Sequence, residues 1–163
     1  DLRDGGIDIA LRGGVHALDA PDLVARHLAD WHWHIYAAPA YLDDAPALAH
    51  PADLAAHTWV YHEVPRGELR RDGEHHPLNI EGGLYCNRLS AVRRLCAAGL
   101  GLALLADGEA ADAVADGSLR LVLPDWNLPP LAIYAVTPHR VQTGRIAAVL
   151  HILRESFTEK NSV

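Results

Sequence analysis

Residues 97–106 read AAGLGLALLA. Small residues lead to Gly99, where a helix stops on a residue free to take a left-handed backbone. From Leu100 to Leu105 the chain is continuously apolar, as expected of a strand buried on both faces. VLPDW follows at 122–126 and IYAVTP at 133–138, so a Pro- and Trp-bearing passage leads into a second apolar strand. Helices alternating with apolar strands predict an α/β fold with a mainly parallel sheet.

Working outward, the helix before Gly99 begins near Asn87, which reads as its cap. Leu89, Val92, Leu95 and Cys96 give it one apolar stripe. A second helix spans about 107–115, with Asp107 as cap and Gly117 as stop. The last spans about 143–157 and places Ile146, Val149, Leu150, Leu153 and Phe157 on one face. Toward the start, residues 2–6 read as a helix end, and IDIALR at 7–12 as a short buried strand broken by Gly13 and Gly14. Residues 23–37 read as extended and carry the alternation Trp31-His32-Trp33-His34, which puts both histidines on one side and both tryptophans in the core. Pro51 suits the first turn of a short helix over 51–56. The polar stretch 58–81, punctuated by Pro65, Gly67 and Asp72-Gly73, predicts a hairpin.

The bulk numbers exclude several function classes. With 14 basic and 21 acidic residues among 163, the net charge is −7, which repels a phosphate backbone, so this chain is not itself a DNA reader. Cys86 and Cys96 are not CxxC-spaced and fit a reduced, cytoplasmic setting. No apolar run approaches the ~18 residues of a membrane span, and no signal peptide is seen at the start. There is no P-loop, no G-x-S-x-G and no HExxH. Gly99-Leu-Gly101 follows a helix and precedes a strand, the reverse of a dinucleotide loop. Lys160, in the tail, is the single lysine, which disfavours Schiff-base chemistry. His32 with His34, and His75-His76 on an expected turn, lack the three or four converging ligands of a zinc site. The reading is a protein without catalysis, metal or cofactor.

Eight pieces, in order, carry a resemblance: DLRDGGIDIALRGG (1–14), LVARHL (23–28), AAPAYL (37–42), HPADLAAH (50–57), AAGLGLALLA (97–106), DGSLRLVLPDW (116–126), PPLAIYAVTPHR (129–140) and a closing amphipathic helix. Together they resemble the effector-binding domain of LysR-type transcriptional regulators across essentially the whole chain. The resemblance implies two α/β lobes of the type II periplasmic-binding-protein kind, joined by two crossover strands. Lobe I would hold 1–33 and 131–163, lobe II 34–130, with the crossings at the WHWH strand and the NLPPLAI segment. Trp126, in the return crossing, would pack that hinge. It also implies that the strand, helix and strand opening such a domain, and the DNA-binding winged helix-turn-helix, lie outside this chain, consistent with a start at Asp1 and no methionine.

The expected function is effector sensing: a small ligand binds between the lobes, and the change is relayed to DNA-binding domains in a homodimer or homotetramer. The helix beginning at Asn87 would pair with a partner subunit and offers Arg93 and Arg94 beside Ala91 and Ala97. In such folds ligands meet strand ends and helix N-termini. Arg12 ends the IDIALR strand, and Gly13 and Gly14 permit close backbone approach. An ion pair with Asp8 is the structural alternative for Arg12. Asn87 and Arg88 open a helix whose free N–H groups favour an anion. Ala106, where the family usually has proline, completes the candidate effector-contacting set. Arginine plus a helix N-terminus suits a carboxylate, so the expected effector is a small organic anion. The alternative on the same architecture is a stand-alone periplasmic solute-binding protein.

Overall fold

The computed structural model describes residues 6–14, 23–138 and 144–160. The expected helix end at 2–6 therefore lies largely outside the described residues. The chain divides into two compact units, one of Asp1–Trp31 with Pro130–Val163 and one of His32–Pro129.

In the first unit, β10 (Leu131–Pro138) lies between β1 (Ala10–Gly13) and β2 (Leu23–Trp31), antiparallel to both. Val136 is at the centre of its core, among Ala10, Leu23, Ala25 and Tyr134. Helix α4 (Gly144–Lys160) packs against β2. Ile146 is buried and Leu150, Leu153 and Phe157 are half-buried, but Val149 is exposed and drops from the expected face. The strand expected over Ile7–Arg12 is shorter and more open than its apolar run implied. β1 pairs only with β10 among the described residues, and its Leu11 is 49% exposed.

The second unit is built on β3 (Trp33–Ala37), flanked antiparallel by β8 (Ala103–Ala106) and β9 (Arg120–Val122). Parallel β4 (Val60–Tyr61) and β7 (Leu84–Tyr85) join this sheet through a bridge between Trp59 and Leu102. Val60 N–H donates to Leu102 O at 2.8 Å, and Leu102 N–H donates to Thr58 O at 2.8 Å. The ladder therefore runs β7-β4-β8-β3-β9, parallel over its first three strands and antiparallel thereafter. A mainly parallel sheet is thus not what forms among the described residues. Strand direction depends on long-range pairing, which a local apolar pattern does not encode.

Local signals map more directly. A 3-10 helix spans Pro51–Ala56 with Pro51 in its first turn, as expected, whereas α1 (Pro39–Asp44) goes beyond the sequence expectations. Hairpin strands β5 (Arg66–Arg71) and β6 (Glu74–Asn79) turn at Asp72 (φ 47°) and Gly73 (φ 84°), the two positive φ angles of a tight hairpin. α2 (Leu89–Ala97) buries Val92 and Cys96, and α3 (Asp107–Ala115) buries Ala110 and Ala113. α2 ends in a Schellman motif: Gly99 (φ 84°) donates to Cys96 O and Leu100 donates to Leu95 O, at 2.9 and 3.1 Å.

One buried polar group gives this core a pH dependence. His57 is 7% exposed, with Nδ1 3.1 Å from the Tyr41 hydroxyl and a buried Nε2 that has no hydrogen-bond partner among the described residues. Burial lowers its pKa from the ordinary 6.5, partly opposed by the Asp53 carboxylate. The unfolded chain then takes up a proton that folded His57 refuses, so stability is full above about 6.5 and falls as pH drops below it. Asp53, held below its ordinary range by the Ala49 and His50 N–H groups, adds a loss in the same direction at lower pH. Urea midpoints measured from neutral to acid pH should decline, and the first part of the decline should flatten in His57→Gln.

Candidate functional site

The six sequence-nominated residues fall in three places. Arg12 sits on β1 opposite Tyr134, exposed, and has no ion-pair partner among the described residues; the pair with Asp8 does not form. Gly13 is exposed, and a Cβ there would lie 2.9 Å from Leu131 Cδ2, the tip of a side chain that can move aside. Gly14 takes φ 84°, and its N–H donates to Ala132 O at 2.9 Å. All three belong to the first unit.

Asn87 and Arg88 belong to the second unit, in the exposed loop between β7 and α2. Asn87 is not the cap. Arg88 holds that position with extended backbone (φ −139°, ψ 130°), and its carbonyl receives the Ala91 and Val92 N–H groups. The helix starts one residue later than the Asn suggested because backbone geometry, rather than residue preference, fixes the first turn. No side chain caps α2, which leaves first-turn N–H groups available to an anion. Ala106 ends β8 and is the N-cap of α3, with its methyl group buried.

Asp107, expected as the cap of α3, is instead its first residue, and it centres a polar cluster that sequence reasoning missed. Its Oδ1 lies 2.6 Å from His34 Nδ1 and accepts the Tyr36 hydroxyl at 3.0 Å. Burial, then the hydrogen bond and charge of Asp107, push the Tyr36 phenol above its ordinary range, so it stays a donor. His34 and Tyr36 alternate onto one face of β3, and Trp33 pairs with Ala106, which brings Asp107 alongside. The i, i+2 spacing on β3 was visible; the partner 73 residues away was not. His32 breaks the expected WHWH strand: it lies between β2 and β3, and its carbonyl accepts the Asp107 N–H at 3.1 Å.

The remaining candidates have local roles. His75 and His76 lie on β6, not on a turn; His75 Nδ1 is 3.0 Å from Glu68, and His76 Nδ1–H donates to Pro77 O. No group of three or more His, Cys, Asp or Glu side chains converges among the described residues. Trp126 packs in the second unit's core with the Arg71 guanidinium 4.5 Å above its ring. Arg93 ties α2 to α3 through Glu109 at 3.3 Å and so is not a free outer-face cation. Cys96 is fully buried, its Sγ lies 3.3 Å from both Tyr36 O and Gly101 O, either of which can accept its single S–H, and burial pushes its pKa up to about 12. Because the thiolate is the reacting form, an aromatic disulfide reagent should modify Cys86 alone in the native chain and both cysteines in denaturant. Rapid native modification of Cys96 would contradict this burial.

The chain has the two-lobed, periplasmic-binding-protein-like α/β fold of ligand-sensing regulatory domains. The LysR substrate binding domain family matches residues 1–158, and the chain belongs to that family. The HTH-type transcriptional regulator PtxR of Pseudomonas aeruginosa is 34% identical over 160 residues, covering 95% of this chain and 51% of PtxR. A single-substitution variant of the AphB regulatory domain from Vibrio vulnificus superposes with a TM-score of 0.82 at 27% identity, covering 95% of this chain and 79% of that one. The regulatory domain of CrgA, a LysR-type regulator from Neisseria meningitidis, gives 0.77 at 26% identity, covering 95% and 78%. The chain spans about half the length of the curated relatives it matches. No helix among the described residues is long and apolar enough to cross a membrane.

Proposed function

We propose that this domain senses a small organic anion for a transcriptional regulator that reaches DNA through a helix-turn-helix segment outside this chain. Arg12 with Gly13 and Gly14 forms one recognition element, Asn87 with Arg88 a second, and Ala106 contributes backbone at the end of β8. The observation that carries the reading is that Arg12 and Arg88, in an acidic chain, have no ion-pair partner among the described residues. A guanidinium left unpaired at a strand end or uncapped helix start suits a carboxylate through paired N–H···O bonds. The regulator works in the cytoplasm as a homodimer or homotetramer and does not catalyse a reaction. The effector shifts it only by binding two arrangements with different affinity. A stand-alone solute-binding role is not favoured, because the relatives are transcriptional regulators.

A thermal-shift screen of small carboxylates against their neutral amides tests the ligand class. A ligand at about 100 times its Kd stabilises by about 2.7 kcal/mol, so a true effector should raise Tm by about 5–10 °C. Arg12→Gln and Arg88→Gln should each weaken the shift. Equal shifts from acids and amides would overturn the anion reading.

A further inference from the structure

His50 caps a helix with its ring. The 3-10 helix over Pro51–Ala56 buries Pro51 and Leu54 and packs on β6. At its start His50 Nδ1 accepts the Ala52 N–H at 3.1 Å. Asp53 Oδ2 in turn accepts the His50 N–H at 2.9 Å and the Ala49 N–H at 3.0 Å, which closes a capping box. The usual acceptors at that position are Ser, Thr, Asn and Asp, and none of them ordinarily changes charge between pH 5 and 8. An imidazole does. Nδ1 cannot carry a proton and accept the Ala52 N–H at once, so His50 caps only as the neutral tautomer with its proton on Nε2.

The surroundings add a push to the loss of the cap. His76 on β6 stands edge-on to His50 with ring centroids 5.5 Å apart, and its Nδ1–H donates to Pro77 O, so its second proton goes to Nε2. His50 also meets the Trp126 ring at 5.2 Å, over which the β5 guanidinium of Arg71 lies at 4.5 Å. Acid therefore gathers positive charge on His50 and His76, with Arg71 close by. Of the carboxylates on the same elements, Glu68 is engaged by Arg70 and His75, and Glu74 by Arg71. Asp53, on the helix itself, attracts an imidazolium at His50 and so favours the form that cannot cap.

We infer that His50 is an acid-sensitive latch within the second unit. Neutral, it holds the first turn of the 3-10 helix closed against β6. Protonated, it frees the Ala52 N–H and loosens that turn, and with it the cover that Leu54 gives to the core around Trp59 and Trp126. This differs from the acid loss at His57, whose ring is buried and whose effect is on the whole fold. His50 is exposed and acts on one turn.

The test uses the ¹⁵N-labelled chain. A long-range ¹H–¹⁵N spectrum at neutral pH should show His50 with a bare Nδ1 and a protonated Nε2. Between about pH 7.5 and about pH 5, protection of the Ala52 amide, corrected for intrinsic exchange, should fall about fivefold, the scale of a lost N-cap. His50→Asn keeps an acceptor that does not titrate, so its Ala52 protection should stay level over the same range. His57→Gln should leave the Ala52 fall in place, which separates the latch from the change in global stability. A protonated Nδ1 at neutral pH, level Ala52 protection in the unsubstituted chain, or an equal fall in His50→Asn would overturn the inference.

Discussion

Gly101→Ala is expected to destabilise the fold by more than about 3 kcal/mol, read as a fall in the urea-unfolding midpoint. Gly101 holds φ 148°, where an L side chain is strained at about 1–3 kcal/mol by backbone conformation alone. A Cβ there would also sit 2.4 Å from Thr58 O and 2.8 Å from Thr58 C, and backbone atoms do not yield as a side-chain tip does. That same carbonyl receives the Leu102 N–H that stitches the Trp59 segment to β8. One methyl group therefore attacks both the local backbone and the bridge uniting the five-strand ladder. Gly99→Ala is the control. Gly99 is also left-handed, with φ 84°, but a Cβ there meets nothing within 4 Å, so its cost should stay at about 1–2 kcal/mol. Equal effects at the two glycines would contradict the close approach inferred at Gly101.

The second large effect is expected at Trp59. Its side chain is 2% exposed in the core formed with Ile35, Leu54, Leu102 and Trp126, and its Nε1–H donates to Leu54 O at 3.3 Å. Removing the indole leaves a cavity and strips a donor from a buried carbonyl. Trp59→Ala should therefore cost about 3–5 kcal/mol in the same unfolding measurement. Trp59→Phe keeps most of the volume and loses the donor, so it should cost less. The two effects share a location, since Trp59 O accepts the Leu84 N–H of β7 at 2.7 Å. Combining Trp59→Ala with Gly101→Ala is therefore expected to depart from additivity.

Features encoded within a few residues were legible in the sequence. The Gly99 stop, the Asp72-Gly73 turn and the Pro51 helix start each depend on a backbone conformation that one residue type favours. Family resemblance supplied the two-lobed class, which local pattern alone does not give. What failed to show depends on pairing over distance. β1 read as buried because its run is apolar, yet burial requires a neighbour on each side. The sheet read as parallel because helices alternate with strands, yet β8 and β9 both meet β3 antiparallel.

The candidate site divides along the same line. Arg12 and Arg88 stood out because an arginine at a strand end or helix start is locally visible. Asn87 misled by one position, since its preference for caps is weaker than the backbone geometry that gave the place to Arg88. The Asp107 cluster was hidden because its three members meet only once β3 and β8 pair, although each was in plain view along the chain.

We propose that an anion is sensed at Arg12 and at Arg88. Amide hydrogen exchange, followed with and without the best carboxylate from the thermal screen, addresses it most directly. Slowed exchange is expected in Arg12–Gly14 and in the first turn of α2, with the effect weakened in Arg12→Gln and Arg88→Gln. Protection confined to other segments, or unchanged in both variants, would contradict it.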